Sequence, residues 1–74
     1  MTSTRQVHPA TAQILRHFDI GHLPDELKVI SAPFGALAQD MADKLEGPEL
    51  TICLRKLLEA KDCFVRAALE EPHT

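Results

Sequence analysis

The stretch DKLEGPEL, residues 43–50, decides the fold that we predict for this chain. Glycine at position 47 is typical of the residue just past a helix, and proline at position 48 is typical of the first residue of the next helix. Two long helices that are joined by two residues have to fold back on each other. We therefore predict an all-α fold built on an antiparallel two-helix hairpin, with long helices at about 24–45 and 48–70.

The first long helix shows apolar residues at steps of three and four, which is close to the spacing of a coiled-coil seam. Proline at position 24 and the two acidic residues after it fit the start of a helix. Pro33 removes one helical hydrogen bond, and because the seam continues in phase we predict a kink near Ala32 rather than a break. The seam consists of Leu23, Leu27, Ile30, Phe34, Leu37, Met41 and Leu45.

The second long helix carries an apolar stripe that is too wide for a single partner helix. An exposed apolar band along a helix marks a contact surface, and self-association is the economical explanation. We therefore predict a homo-oligomer. The stripe consists of Leu50, Leu54, Leu57, Phe64 and Ala68, widened by Cys53, Leu58, Val65 and Leu69. The residues predicted to face water and form the oligomer interface are Leu54, Leu58, Val65 and Leu69.

A short helix at residues 9–18 precedes the hairpin, because Pro9 is favourable at a first helical position and apolar residues follow on one side. Gly21 marks a turn after it. Residues 1–8 are interpreted as a flexible arm, 9–70 as the helical domain and 71–74 as a tail. Phe18 either docks the short helix onto the hairpin or presents an aromatic ledge to a planar ligand.

Composition narrows the class of protein. The chain has 74 residues, of which 45% are hydrophobic and 26% charged, and chains this short bury too little surface to be robust monomers. A net charge of −3 argues against binding to DNA or RNA polymers, which attract basic surfaces. No apolar run has the length of a membrane span or a signal peptide. We expect a soluble, cytoplasmic, oligomeric protein.

The cysteines and histidines do not suggest chemistry. Cys53 and Cys63 are ten residues apart on one helix, hence about 15 Å along its axis, too far for a disulfide with each other. We expect two buried or half-buried thiols, with an intermolecular disulfide as the alternative. The four histidines form no metal-ligand spacing. With no nucleophile–base pair and no glycine-rich phosphate loop, we predict neither an enzyme nor a metal or cofactor site.

Charged residues of the second long helix are interpreted as a solvated face, with Arg55/Glu59 and Asp62/Arg66 as pairs one turn apart. Glu59 is either exposed or pairs with a cation of a neighbouring chain. His17 and His22, which flank the predicted turn, are either surface residues or ligand contacts.

Two stretches, RHFDIGHLP (residues 16–24) and VISAPFGALAQDMADKLEGPELTICLRKLLEAKDCFVRAAL (residues 29–69), resemble a family of phage anti-defence helical hairpins that sponge cyclic oligonucleotides. The resemblance covers residues 16–69, and its motifs are short. They are an early aromatic (Phe18), a run from Ile30 to Ala38, a Pro-Glu-x-Thr opening (Pro48, Glu49, Thr51) and a Leu-Glu-Ala core (Leu58, Glu59, Ala60).

The resemblance implies a homo-oligomer, often a hexamer, that holds cyclic di- or trinucleotides between protomers without degrading them. Ile20 aligns with a base-stacking tyrosine of the family, and Gly35 aligns with a lysine that reaches the phosphate. Other cations and rings of this chain would then have to contact the bases and phosphates. The predicted ligand residues are Arg16, His17, Phe18, Ile20, His22, Lys28, Arg55 and Arg66.

Two functions of different classes follow. One is a non-enzymatic sponge that sequesters cyclic oligonucleotide messengers in the bacterial cytoplasm and blocks antiphage signalling. The alternative is a small helical oligomerisation or partner-binding phage protein with no nucleotide ligand.

Overall fold

A computed structural model describes residues 8–70, and within that range the chain is all-helical, with three helices and no strand. Helix α1 spans Pro9–Arg16, α2 spans Asp25–Lys44 and α3 spans Pro48–Glu70. The predicted all-α class is confirmed. The predicted arm and tail lie outside the described residues, apart from His8. That residue is the N-cap of α1, where its Nδ1 atom accepts a hydrogen bond of 3.1 Å from the backbone N–H of Ala10.

The helix bounds follow local backbone chemistry. Helix α1 ends at Arg16 rather than at residue 18, because the next two residues form a turn. The long helices lie within one residue of their predicted ends. Between them Leu45 is extended and Gly47 has a φ of 108°, a conformation that residues with a Cβ rarely adopt. Helix α2 is a single helix through Pro33, as predicted.

The core lies where α1 crosses the other two helices. It contains Ile14 and Phe18 from α1 and the turn after it, Ala38 from α2, and Leu50 and Leu54 from α3. Polar atoms also join α1 to α3, since the hydroxyl oxygens of Thr11 and Thr51 lie 3.3 Å apart. Helix α1 is therefore part of the core rather than an appendage.

The buried face of α2 coincides only in part with the predicted seam: Leu27 is buried, and Phe34 and Met41 are half-buried. Leu37 and Leu45 of that seam are 46% and 51% exposed. The small residues Ser31, Ala38 and Ala42 are buried instead. On that side of α2 the segment that follows α1 packs beside Gly35, where an added methyl group would lie 3.5 Å from the carbonyl oxygen of Phe18. Small side chains lie beside this segment, whereas Leu37 and Leu45 are exposed to solvent.

The prediction that Leu54 faces water is wrong, because α1 covers this part of α3 and leaves Leu54 only 2% exposed. Leu58 is half-buried and packs against the same core. Val65 is half-buried, and Leu69, beyond the reach of α1, is 67% exposed. The four residues therefore do not form one exposed band.

The prediction of buried or half-buried cysteines is also wrong. Cys53 and Cys63 are both exposed and both free. Among residues 8–70, no helix has an apolar stretch long enough to cross a lipid bilayer.

Candidate functional site

The turn between α1 and α2 presents three of the predicted ligand residues. Arg16 lies in the last turn of α1, His17 is its C-cap, and His22 follows five residues later; all three are exposed. The turn is ordered by its own hydrogen bonds, since the backbone N–H of Gly21 donates to the carboxylate of Asp19 at 3.1 Å. The turn therefore carries a guanidinium and two imidazoles within seven residues of chain.

Phe18 belongs to the core and not to a ligand surface. Its side chain is 6% exposed and packs with Ile14, Ala38, Leu50 and Leu54. Of the two predicted roles, the structure supports docking of the first helix, and the alternative of an exposed aromatic ledge is wrong for this chain. Ile20 is half-buried.

The remaining predicted cations are spread over the molecule. Lys28 is partly buried on α2, and its ammonium lies 3.9 Å from the carboxylate of Asp25. Arg55 and Arg66 are exposed on α3, eleven residues and therefore about 16 Å apart along the axis. A single chain does not bring these two guanidinium groups to one point.

The charge pairs on α3 differ from those predicted. Arg66 donates through Nη2 to the Sγ atom of Cys63 at 3.1 Å, and Asp62 pairs with the neighbouring Lys61 at 2.9 Å. The predicted pairing of Asp62 with Arg66 is therefore not formed. Glu59 is exposed.

Lys61 is one of the charged residues of α3 that the sequence predicts on a solvated face, and that prediction is wrong for it. It is 9% exposed, and its ammonium lies 3.5 Å from the carbonyl oxygen of His17. No periodicity signal could have found this contact, since it depends on where the end of α1 lies against α3.

A second feature that sequence reasoning missed is an apolar groove of about 410 Å³. It lies between the end of α2 and the start of α3, and none of its lining residues comes from α1. The exposed seam residues Leu37 and Leu45 form one side, and Cys53 and Leu57 form the other. Further along the same two helices, the rings of Phe34 and Phe64 have their centroids 5.3 Å apart.

Metal chemistry finds no support in the part of the chain that the structure describes, because no group of three or more potential ligand side chains comes together there. Comparison with known proteins returned no match to any family model, any curated protein or any solved structure.

Proposed function

We propose that this chain is a non-enzymatic, self-associating helical module that binds and sequesters cyclic oligonucleotide second messengers. Its place of action would be the cytoplasm of a bacterium under phage attack. The choice of a cyclic oligonucleotide as the ligand comes from the sequence resemblance. The observation that carries the proposal is the ordered turn between α1 and α2, which presents Arg16, His17 and His22 to solvent.

The proposed architecture is an antiparallel α2/α3 hairpin with α1 packed across it. Support comes from the groove, where Leu45 near the end of α2 lies opposite Glu49 and Leu50 at the start of α3. Earlier on α2, Phe34 contacts Phe64, which is late on α3. A connection of three residues, 45–47, leaves the two helices no other route.

The turn suits a phosphate ligand because contacts with the core and with α3 fix its backbone. Phe18 anchors it in the core, and Lys61 reaches the carbonyl of His17 from α3. A backbone that is already ordered loses less conformational entropy when side chains on it bind an anion. Because the chain is acidic overall, attraction for a messenger with two or three phosphates has to be local.

One chain supplies donors on one side of such a ligand only, and Arg55 and Arg66 are exposed on a different helix. We therefore propose that a second copy completes the pocket with one of these guanidinium groups. Arginine binds phosphate oxygens through two parallel hydrogen bonds, which gives both affinity and orientation.

Isothermal calorimetry with 3′,3′-cyclic GMP–AMP, cyclic di-AMP and cyclic tri-AMP tests the proposal. We expect heat from at least one of them and intact nucleotide after release. Arg16→Ala should weaken that binding about 5- to 150-fold, the equivalent of a lost charge-assisted hydrogen bond of about 1–3 kcal/mol. Lys56→Ala, which removes an exposed lysine outside the predicted ligand set, is the control and should bind as the parent does. Absence of heat with all three nucleotides would reject the sponge.

The second candidate, a helical assembly or partner-binding module without a nucleotide, is favoured by one observation. Phe18 is the only phenylalanine within the turn, residues 17–24, and its burial leaves imidazoles as the only exposed rings there for a base to stack on. An oligomer that binds none of the three nucleotides would establish this candidate over the first.

A further inference from the structure

The proposed anion site lies at an end of α1 that is electrostatically unfavourable for anions. Arg16 and His17 stand at the C-terminus of this helix, where the last carbonyl groups carry partial negative charge. The backbone N–H groups there are already engaged, since those of residues 17–19 donate to carbonyl groups three residues earlier at 3.0, 3.1 and 3.2 Å. An anion at this turn therefore needs a positive charge that offsets the end of the helix.

We propose that Lys61 of α3 supplies this charge and makes the turn selective for anionic ligands. Its ammonium lies 3.5 Å from the carbonyl oxygen of His17, at the end of α1. The inference rests on the proposed function and names a specificity-determining residue that is absent from the predicted ligand set. Lys61 acts through its electrostatic potential, whereas direct contacts with phosphate oxygens are left to Arg16 and the two histidines.

Burial makes the charge of Lys61 effective at the turn. Among residues 8–70 it is the one charged residue that is buried, and its side chain is 11% exposed. Arg16, by contrast, is exposed. The field of a charge that is shielded from solvent is weakened less by water and dissolved salt than the field of an exposed charge. Lys61 therefore contributes to the potential at the turn even where salt screens the guanidinium.

The acidic neighbours of Lys61 are better screened than the lysine itself. The carboxylate of Asp62 lies 2.9 Å from the ammonium, but the aspartate side chain is 48% exposed and in contact with solvent. Asp19, the one acidic residue of the turn, accepts a hydrogen bond of 3.1 Å from the backbone N–H of Gly21. The pair of Lys61 and Asp62 therefore presents its positive side to the end of α1.

A purely structural role for Lys61 makes different predictions from a role through charge. If the ammonium only held α1 on α3, a neutral donor at this position would serve as well. Any loss of binding would then be the same for ligands of different charge. A role through charge predicts that a neutral donor fails, and that the loss grows with the charge of the ligand, because Coulomb attraction does.

The first experiment compares anion binding by the parent and three variants. Lys61→Gln removes the charge and keeps a donor for the carbonyl, Lys61→Arg keeps the charge, and Lys56→Gln removes a matched charge at an exposed position of α3. Calorimetry measures the three cyclic nucleotides, and NMR titration measures pyrophosphate and inorganic phosphate. Circular dichroism at the same temperature establishes whether each variant is folded.

We expect Lys61→Gln to weaken the binding of nucleotide and of pyrophosphate about tenfold or more, the effect of losing one charge-assisted interaction. The loss should be smaller for inorganic phosphate, which carries less charge. Lys61→Arg and Lys56→Gln should stay within about threefold of the parent. Parental affinity in a folded Lys61→Gln variant, or an equal loss for the two phosphates, overturns this inference and leaves the proposed function intact.

The second experiment uses the parent alone and stays decisive if Lys61→Gln does not fold. The ammonium signals of Lys61 and Lys56 are followed by nitrogen-15 NMR while pyrophosphate is added. We expect the Lys61 signal to shift together with the backbone signals of the turn, and the Lys56 signal to stay. A shift of the turn without a shift of Lys61 overturns the inference.

The outcome for the parent separates this inference from the proposed function. If the parent binds pyrophosphate but no cyclic nucleotide, the sponge is rejected, and the two phosphates alone decide the role of Lys61. A parent that binds none of these anions overturns both.

Discussion

The ammonium group of Lys61, on α3, lies 3.5 Å from the backbone carbonyl oxygen of His17, the C-cap of α1. The last carbonyl groups of a helix lack partners within the helix and carry partial negative charge. A lysine from another helix therefore caps α1, and Asp62 at 2.9 Å balances its charge. This contact ties the start of the candidate binding turn to α3.

Replacing this lysine should destabilise the fold more than replacing an exposed one. We expect Lys61→Ala to lower the free energy of unfolding by about 1–3 kcal/mol, because both the buried stem and the hydrogen bond to the carbonyl are lost. Lys61→Met keeps the apolar stem, so its free energy of unfolding should fall by less. Lys56→Ala, at an exposed position on the same helix, should change stability by no more than about 0.5 kcal/mol. Urea denaturation compares the three, and equal effects of the two alanine variants would refute the capping role.

Gly47 should be intolerant of any side chain for reasons of backbone alone. Its φ of 108° is strained for residues with a Cβ, and an added methyl group would meet nothing within 4 Å. Gly47→Ala should therefore cost about 1–2 kcal/mol. Gly47→Asn should cost less, since asparagine tolerates positive φ better. A stability for Gly47→Ala equal to that of the parent, measured by urea denaturation, would contradict the conformation.

Gly35 should behave in the opposite way. It lies inside α2, where glycine is unfavourable, and an added methyl group would make ordinary contacts of 3.5 Å and 3.7 Å with Phe18. Gly35→Ala should therefore raise the free energy of unfolding by about 0.5–1 kcal/mol. Gly35→Leu should lower it, because a larger side chain would push against the Phe18 backbone. Thermal denaturation of the two variants against the parent checks both signs.

Phe18 should matter for folding before it matters for any ligand. It is 6% exposed and central to the core, so Phe18→Ala should cost about 3–5 kcal/mol and leave little or no folded protein in a chain this small. Phe18→Leu keeps most of the apolar volume and should retain native helix content. Should Phe18→Ala instead melt like the parent in circular dichroism, the role of Phe18 in docking the first helix would be wrong.

Mild oxidation should join chains and not close a loop within one chain. Cys53 and Cys63 are both exposed, but ten residues of continuous helix separate them by about 15 Å. A disulfide requires Cα atoms within about 7 Å. Non-reducing gel electrophoresis and mass spectrometry of the oxidised protein should show covalent dimers and no intrachain bridge. An intrachain bridge in folded protein would mean that α3 is not continuous.

The sequence by itself determined where the two long helices begin and end, to within one residue. Pro48 starts α3 and Gly47 interrupts the chain before it, and continuity of α2 through Pro33 followed from an apolar spacing that stays in phase. These features depend on the backbone preferences of single residues and on contacts between residues three or four apart, so they can be predicted from the sequence.

Only the tertiary structure decided which side of each long helix is buried. The pattern of α2 and α3 contains more apolar positions than one contact can cover, and the choice among them depends on where α1 lies. Helix α1 and the turn after it cover Leu54 and the stem of Lys61, and Phe18 of that turn lies beside Gly35. Leu37 is left in water for the same reason. The physical cause is that the apolar spacing of a helix is a local property of its sequence, whereas the side that becomes buried is set by contacts with residues distant in the chain.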